Sequence, residues 1–302
     1  MGLLSMWAES LTYEYEILDS CTRHKSPRSN CMKCIENCPE NAITITEGIP
    51  TINDEGCTQC GKCIAACSVQ AVAGIFPTRI VIDHQLAVSD NEPPTKKELL
   101  IYYKKGIKTI RTERKLSGEW LCAVQEANHL LEQLGEQPLA IVKEKIDQSL
   151  ASITRRELFF SWRNEAQSIM KKMAPAKWRF NHEDLAIAKY YPEHQFSYIQ
   201  VNSSKCTLCK ACQMLCPNKC LNIAESNFTI SAQSCSSCKL CEDICPEKAI
   251  SVKEHVSLHE IIHIPIIEKE CKKCNNPFHT LNESDEICVP CTKREGFLGA
   301  YK

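Results

Sequence analysis

The sequence predicts an α+β fold: two copies of one small module, a short α/β segment between them, and a separate cysteine knuckle after the second copy. Three observations carry this. Twenty of the 22 Cys fall into five groups. Four of those groups share one spacing and are related by constant shifts along the chain. Residues 81–200 hold a single Cys and alternate strand-like with helix-like segments.

Composition sets the frame. The chain has 302 residues, 36 Lys+Arg, 37 Asp+Glu and a formal net charge of −1. That length suits several compact units better than one core. The balanced charge gives no footing for a nucleic-acid partner or a membrane surface. The opening Met1-Gly2-Leu3-Leu4-Ser5 has no basic stretch ahead of an apolar one and does not read as a secretory signal. No apolar run approaches the ~18 residues of a membrane span. The expectation is a cytoplasmic protein whose thiols stay reduced and open to metal. Thr154-Arg155-Arg156-Glu157-Leu158-Phe159 looks like a twin-arginine export signal. It lies mid-chain with no long apolar segment after it, and reads as the basic start of a helix.

The first module, residues 1–80, carries Cys21, Cys31, Cys34 and Cys38-Pro39, then Cys57, Cys60, Cys63 and Cys67-Ser68. The second, residues 203–253, carries Cys206, Cys209, Cys212 and Cys216-Pro217, then Cys235, Cys238, Cys241 and Cys245-Pro246. Three of the four groups read C-x2-C-x2-C-x3-C. Within each module the groups are displaced by 29 residues, and the modules are displaced by 178. Only Cys21 breaks the pattern, because Thr22–Asn30 is a longer first spacer; with Pro27 and Ser29 it suits a surface loop. A duplicated module, one copy of which gained a loop, accounts for all of this.

The spacing has a chemical reading. A cubane iron–sulfur cluster needs four thiolates at the corners of a tetrahedron. Three closely spaced cysteines wrap three irons, and a fourth Cys followed by Pro leaves the local turn toward the neighbouring cluster. Short hairpins fit between the groups. Ala42–Ile45 and Pro50–Ile52 flank a turn at Glu47-Gly48, and Leu221–Ile223 and Phe228–Ile230 flank one near Ser226-Asn227. Ala71-Val72 and Ala249–Val252 would supply further strands. Zinc or disulfides would also staple so small a core, but neither needs this spacing.

On these motifs the chain resembles the bacterial-type dicluster 2[4Fe–4S] ferredoxin family, over roughly residues 18–80 and 203–253. The resemblance implies a ferredoxin-like fold for each module, four [4Fe–4S] clusters in all, and low-potential one-electron transfer. Carried over by motif position, it assigns Cys21, Cys31, Cys34 and Cys67 to one cluster, and Cys57, Cys60, Cys63 and Cys38 to the next. In the second module it assigns Cys206, Cys209, Cys212 and Cys245, and Cys235, Cys238, Cys241 and Cys216. The departures are the spacer after Cys21 and Ser68 in place of proline.

Between the modules, Lys96–Lys104 and Trp120–Leu134 read as helices, and Ile107–Ile110 and Leu139–Val142 as strands. They form a small α/β insert at residues 81–150. It carries no Gly-rich phosphate loop and no catalytic constellation. Residues 151–202 read as a basic amphipathic helical linker, with Phe159, Trp162, Ile169, Met170 and Met173 on Thr154–Met173.

Residues 254–302 hold the fifth group, Cys271, Cys274, Cys288 and Cys291, two C-x2-C knuckles that suit a closed zinc-ribbon-like S4 site for one Zn2+ or a single iron. Phe278 is placed to pack under the metal. Cys122 and Cys220 read as buried small hydrophobes. His255, His259 and His263 recur every four residues, as on one helix face.

The functional expectation is an iron–sulfur electron-transfer protein without catalysis of its own. It would pass single electrons between redox partner proteins, of which a molybdenum or tungsten oxidoreductase such as formate dehydrogenase is one kind. The alternative is an accessory or maturation factor for such an oxidoreductase. An enzyme centred on the middle insert is disfavoured by its lack of nucleotide or flavin motifs.

Overall fold

The computed structural model describes residues 15–74, 79–88, 93–144 and 185–299. Thr154–Met173 and its paired arginines lie outside the described residues. The chain divides into two compact units. One comprises Met1–His24 with Met32–Tyr190, the other Lys25–Cys31 with Tyr191–Lys302.

In the first unit, β1 (Glu16–Ile17) is followed by α1 (Thr22–Lys25) and α2 (Lys33–Glu36), the hairpin β2 (Ile43–Thr46) and β3 (Ile49–Ile52), α3 (Lys62–Ala66) and β4 (Val72–Ala73). β1 pairs antiparallel with β4, and β2 with β3. The hairpin closes on Glu47 and Gly48, with φ of 53° and 85°. Two successive positive φ values make a two-residue turn whose twist matches the strands. Tyr15, Ile43, Ile64 and Val72 form the core. The spacer after Cys21 differs from the exposed loop expected: it opens with the helical turn α1, and Thr22, Ser26 and Ser29 are buried.

The insert follows as β5 (Val81–Ile82), β6 (Gln85–Ala87), α4 (Lys96–Lys104), β7 (Thr109–Thr112), α5 (Gly118–Gln133) and β8 (Ala140–Lys143). The sheet order is β5-β6-β7-β8. β6, β7 and β8 are parallel and β5 is antiparallel. α4 starts on a capping box, Thr95 with Glu98, and Glu98 also pairs with Arg79 at 3.2 Å. α4 has a second role, because its Ile101 packs into the core of Tyr15, Ile43 and Ile64. On α5 the buried stripe is Trp120, Val124, Ala127 and Leu131. Cys122 falls off that stripe and is exposed, against the expectation of burial, with Sγ 3.8 Å from Glu126. The short α6 (Ile187–Tyr190) ends the unit.

The second unit runs β9 (His194–Val201), α7 (Ala211–Leu215), β10 (Leu221–Ile223), β11 (Asn227–Ser231), α8 (Leu240–Ile244), β12 (Ile250–Leu258), β13 (Ile261–Pro265), β14 (Ile267–Glu270), β15 (Pro277–Thr280) and α9 (Val289–Gly299). β9 pairs with β12, and β11 lies between β10 and β13. Two expected boundaries move accordingly. β9 falls in the stretch expected to be linker, yet it is a strand of the ferredoxin-like sheet. Residues 254–265 were expected with the cysteine knuckle, yet they form the end of β12 and all of β13, and β13 pairs with β11. His255 and His263 therefore sit on strands and His259 between them, not on a helix; Thr229 and Ser231 lie within hydrogen-bond range of His263 and His259. The β-branched density of Ile261, Ile262 and Ile264 outweighs the four-residue period. The core of Phe228, Ile230, Leu221 and Val252 takes in Leu281, from beyond β15.

Candidate iron–sulfur and metal centres

Each of the four ferredoxin-type groups ends the same way. The backbone N–H of Ala42 donates to Cys38 Sγ at 3.3 Å, Ala71 to Cys67 at 3.1 Å, Cys220 to Cys216 at 3.3 Å and Ala249 to Cys245 at 3.2 Å. The residue before each donor is left-handed: Asn41, Gln70, Lys219 and Lys248, with φ of 52°, 52°, 53° and 48°. Four non-glycine residues in this region cost about 1–3 kcal/mol each, so the surrounding structure must hold them there. What they achieve is to turn an N–H onto a sulfur, which stabilises thiolate.

The loops that carry the first three cysteines of a group share a second device. Gln59 and Gly61, Leu208 and Lys210, and Ser237 and Lys239 are all left-handed. Successive N–H groups in such turns make an anion-binding concavity. The equivalent residues in the first group are Asn30 and Met32, and neither is left-handed; Met32 has φ −124°. Asn30 instead donates through its backbone N–H and its Nδ2 to Asp243, at 2.8 and 3.1 Å.

Cys38, Cys57, Cys60 and Cys63 line one cavity. Cys216, Cys235, Cys238 and Cys241 line another. In both, the group-ending cysteine comes from the other group of its module. Cys206, Cys209, Cys212 and Cys245 also converge, since the charge of Cys245 bears on Cys206 and Cys212. Burial pushes the Cys63 thiol up to about 12, with Cys60, Cys57 and Cys34 adding to it. It does the same to Cys212, with Cys206 and Cys209 adding, and it raises Cys241. Closely packed thiolates repel, and a positively charged iron core is the group that would relieve them. All-sulfur donors, caged space and N–H groups aimed at sulfur fit [4Fe–4S] clusters. Cys34 bears on Cys63, and Cys212 on Cys241, so the third cysteines of paired groups face each other in both modules. Of the remaining thiols, Cys21 follows a turn closed onto Leu18, and Cys31 lies just ahead of α2, which contains Cys34.

Several contributors were not legible as site residues. Cys220 is 3% exposed and lines the second cavity. Its backbone N–H donates to Cys216 Sγ at 3.3 Å, its thiol lies 3.8 Å from the Asn218 carbonyl, and the neighbouring Cys220 thiol holds Cys216 and Cys235 below the ordinary thiol range. Ser197 on β9 hydrogen-bonds the Cys235 carbonyl at 3.3 Å and shares a 2.6 Å hydrogen bond with Ser237 Oγ. Lys33 Nζ donates to Ser68 Oγ at 2.6 Å, and the Lys97 ammonium on α4 feels Cys67. Burial draws Lys97 down to about 8.

The sulfurs of Cys271, Cys274, Cys288 and Cys291 all lie within 4.8 Å of one another. The first pair sits in the turn between β14 and β15, where Cys271 N–H donates to Asn276 O at 3.0 Å. The second pair opens α9. Cys288 N–H donates to Cys271 Sγ at 3.3 Å and holds that thiol down to about 6. Phe278 lies in β15 opposite Lys269, half-buried. Four thiols in one closed set suit a tetrahedral metal.

Fold and cysteine sets define ferredoxin-type modules suited to binding 4Fe–4S clusters. The 4Fe-4S dicluster domain family matches residues 28–71, and 4Fe-4S binding domain families match residues 199–222 and 232–248. Cys21 lies outside the first match. The chain is 45% identical over 42 residues to a subunit of the ion-translocating oxidoreductase complex of Methanosarcina acetivorans, covering 14% of this chain and 16% of that protein. It is 44% identical over 39 residues to an uncharacterized ferredoxin of Methanocaldococcus jannaschii, covering 13% of this chain and 26% of that one. The chain thus spans about a sixth and a quarter of these relatives. Among the described residues, no helix is long and apolar enough to cross a membrane.

Proposed function

We propose that the chain is a polyferredoxin that passes single electrons between partner redox proteins, as a subunit or soluble partner of a larger oxidoreductase. The observation that carries this reading is the interlock: Cys38 and Cys216 each close a cavity built by the other group of their module. A structural staple does not need two sites tied side by side, whereas electron transfer between sites does. Each [4Fe–4S] cluster, when bound, stores and releases one electron at low potential. The chain's residues hold the thiolates, direct N–H groups at sulfur and exclude water around the third cysteines. The fourth set is Cys21, Cys31, Cys34 and Cys67, supported by the shared spacing of its last three members. Cys271, Cys274, Cys288 and Cys291 hold one Zn2+ in preference to a single iron, since four thiolates around a redox-inert ion make a closed clip.

The partner is a redox protein, with a molybdenum or tungsten oxidoreductase as the candidate class and the reducing cytoplasm as the setting. The competing reading is an accessory factor in the maturation of such an enzyme. The two part on redox behaviour. Anaerobically purified protein, titrated and followed by electron paramagnetic resonance, should show clusters reducing at distinguishable potentials. Reduced protein should then pass electrons to a co-purifying oxidoreductase. One indistinguishable reduction step with no transfer to that oxidoreductase overturns the relay in favour of the maturation role.

A further inference from the structure

The four ferredoxin-type groups are copies of one loop, so a surface feature that only one copy carries needs its own cause. Five residues after the second cysteine of each group stand Glu36, Ala65, Met214 and Asp243. Three of these are small or charged, as suits a short helix at the surface. Met214, on α7, is 78% exposed, more than any other large hydrophobic side chain among the described residues. Its N–H donates to the Lys210 carbonyl at 3.0 Å, which places the two residues one helical turn apart on the same side. The charge of this copy differs as well. Residues 203–219 carry Lys205, Lys210 and Lys219, all exposed, and no carboxylate. The matching residues 232–248 carry Glu242, Asp243 and Glu247, and residues 54–70 carry Asp54 and Glu55. Between Lys205 and Lys210 in the chain lies Cys209, which alone of the sixteen ferredoxin-type cysteines is exposed. A single methionine in water needs no explanation. Here an exposed thiol, an exposed apolar side chain and an all-cationic border coincide at one of four equivalent loops.

We propose that this loop is the port through which the chain meets its redox partner: Met214 seats in an apolar notch on the partner, and Lys205 and Lys210 face carboxylates that ring the partner's redox centre. The proposal rests on the electron-transfer reading above and names its site and the partner's chemistry. One electron leaves the reduced cluster of Cys206, Cys209, Cys212 and Cys245 and enters the partner's oxidised centre; no bond forms or breaks and no proton moves. Electron transfer slows steeply with distance, so the thiol nearest water sets the shortest crossing. One flexible apolar anchor inside a charged rim suits the small, short-lived interfaces of redox encounters.

Flavodoxin, a small acidic one-electron carrier, is the probe, and cytochrome c, a basic one, is its opposite. The full chain, reduced anaerobically, is mixed with each oxidised probe in stopped flow. Transfer to flavodoxin should slow about tenfold from low to high salt, and transfer to cytochrome c should quicken. Lys205→Glu should slow the flavodoxin reaction several-fold at low salt, and Met214→Ser should slow it at every salt concentration. Both variants should keep their iron and reduced-state spectra, which separates docking from cluster loss. Lys253→Glu, the same charge reversal at an exposed position on β12, should change neither rate. The salt dependence needs no variant and so holds even where a substitution costs iron. The port is overturned, with the electron-transfer reading intact, if Lys205→Glu and Met214→Ser leave the rates unchanged, if salt acts with the opposite signs, or if Lys253→Glu slows transfer as much as Lys205→Glu. Reduced protein that passes electrons to neither probe ends both readings.

Discussion

The ammonium of Lys33 donates to Ser68 Oγ at 2.6 Å, joining the residue between Cys31 and Cys34 to the residue after Cys67. The other three group-ending cysteines are followed by Pro39, Pro217 and Pro246, which offer no side-chain acceptor. The serine lets a cation settle beside Cys67, and Lys97 adds a second one. Positive charge near a cluster stabilises its reduced form. Lys33→Met should lower the potential of one N-terminal cluster by roughly 40 mV, the one-electron equivalent of about 1 kcal/mol. The other three should hold their midpoints in a redox titration. Equal movement of all four would refute a local effect.

Metal content should be about 16 iron and about 16 acid-labile sulfide per chain, with about one zinc. Cys271→Ser should remove the zinc and leave iron unchanged, read by elemental analysis of anaerobically purified protein. Loss of iron in step with zinc would point to iron at that site.

Cys21→Ser should damage one N-terminal cluster and spare both C-terminal ones, because ligation depends on thiolates supplied within each module. A reduced-state spectrum identical to that of unaltered protein would remove Cys21 from the ligand set.

Glu98 is 2% exposed, accepts the Thr95 N–H at 2.6 Å and pairs with Arg79, whose side chain is 11% exposed. Glu98→Gln removes the carboxylate charge that Arg79 pairs with, where both side chains are largely buried. The expected loss is about 3 kcal/mol of stability, seen as a lower midpoint in denaturant. A change below about 1 kcal/mol would mean that water reaches Arg79.

A chain cut after residue 253, the boundary that cysteine spacing suggests, should retain the C-terminal clusters poorly. It lacks the second half of β12, the pairing of β13 with β11, and Leu281 from the core. Exposing Phe228 and its neighbours should lower the unfolding midpoint and speed cluster loss in air. Cluster retention equal to that of the full chain would show that these additions are dispensable.

How much of this was legible in the sequence depends on what kind of signal each residue gives. Cysteine ligation leaves a one-dimensional record, because a short loop that wraps three irons fixes the spacing whatever lies around it. Helix α4 was readable through to Lys104 because Thr95 and Glu98 form a cap that local residues determine. The strands β9 and β13 were not, since β-pairing is non-local and nothing in His194–Val201 announces that its partner lies at Ile250–Leu258. The three histidines misled because a spacing of four suits a helix face and also one face of a strand. Cys122 misled for a different reason: helical phase, not residue type, decides exposure, and it lies outside the Trp120–Val124–Ala127–Leu131 stripe. Lys33 and Ser68 are separated by 35 residues, and their contact exists only once the module has closed.

Leu281 lies beyond the second pair of β-strands after the last ferredoxin-type cysteine, yet it packs with Phe228 and Val252. A ribosome therefore delivers all eight C-terminal thiols, Cys206 to Cys245, before it delivers the leucine that completes their shelter. During that interval the emerging polypeptide presents its sulfurs from a half-finished core. The order of residues thus sets when the thiols are exposed relative to when Leu281 joins the core that shelters them.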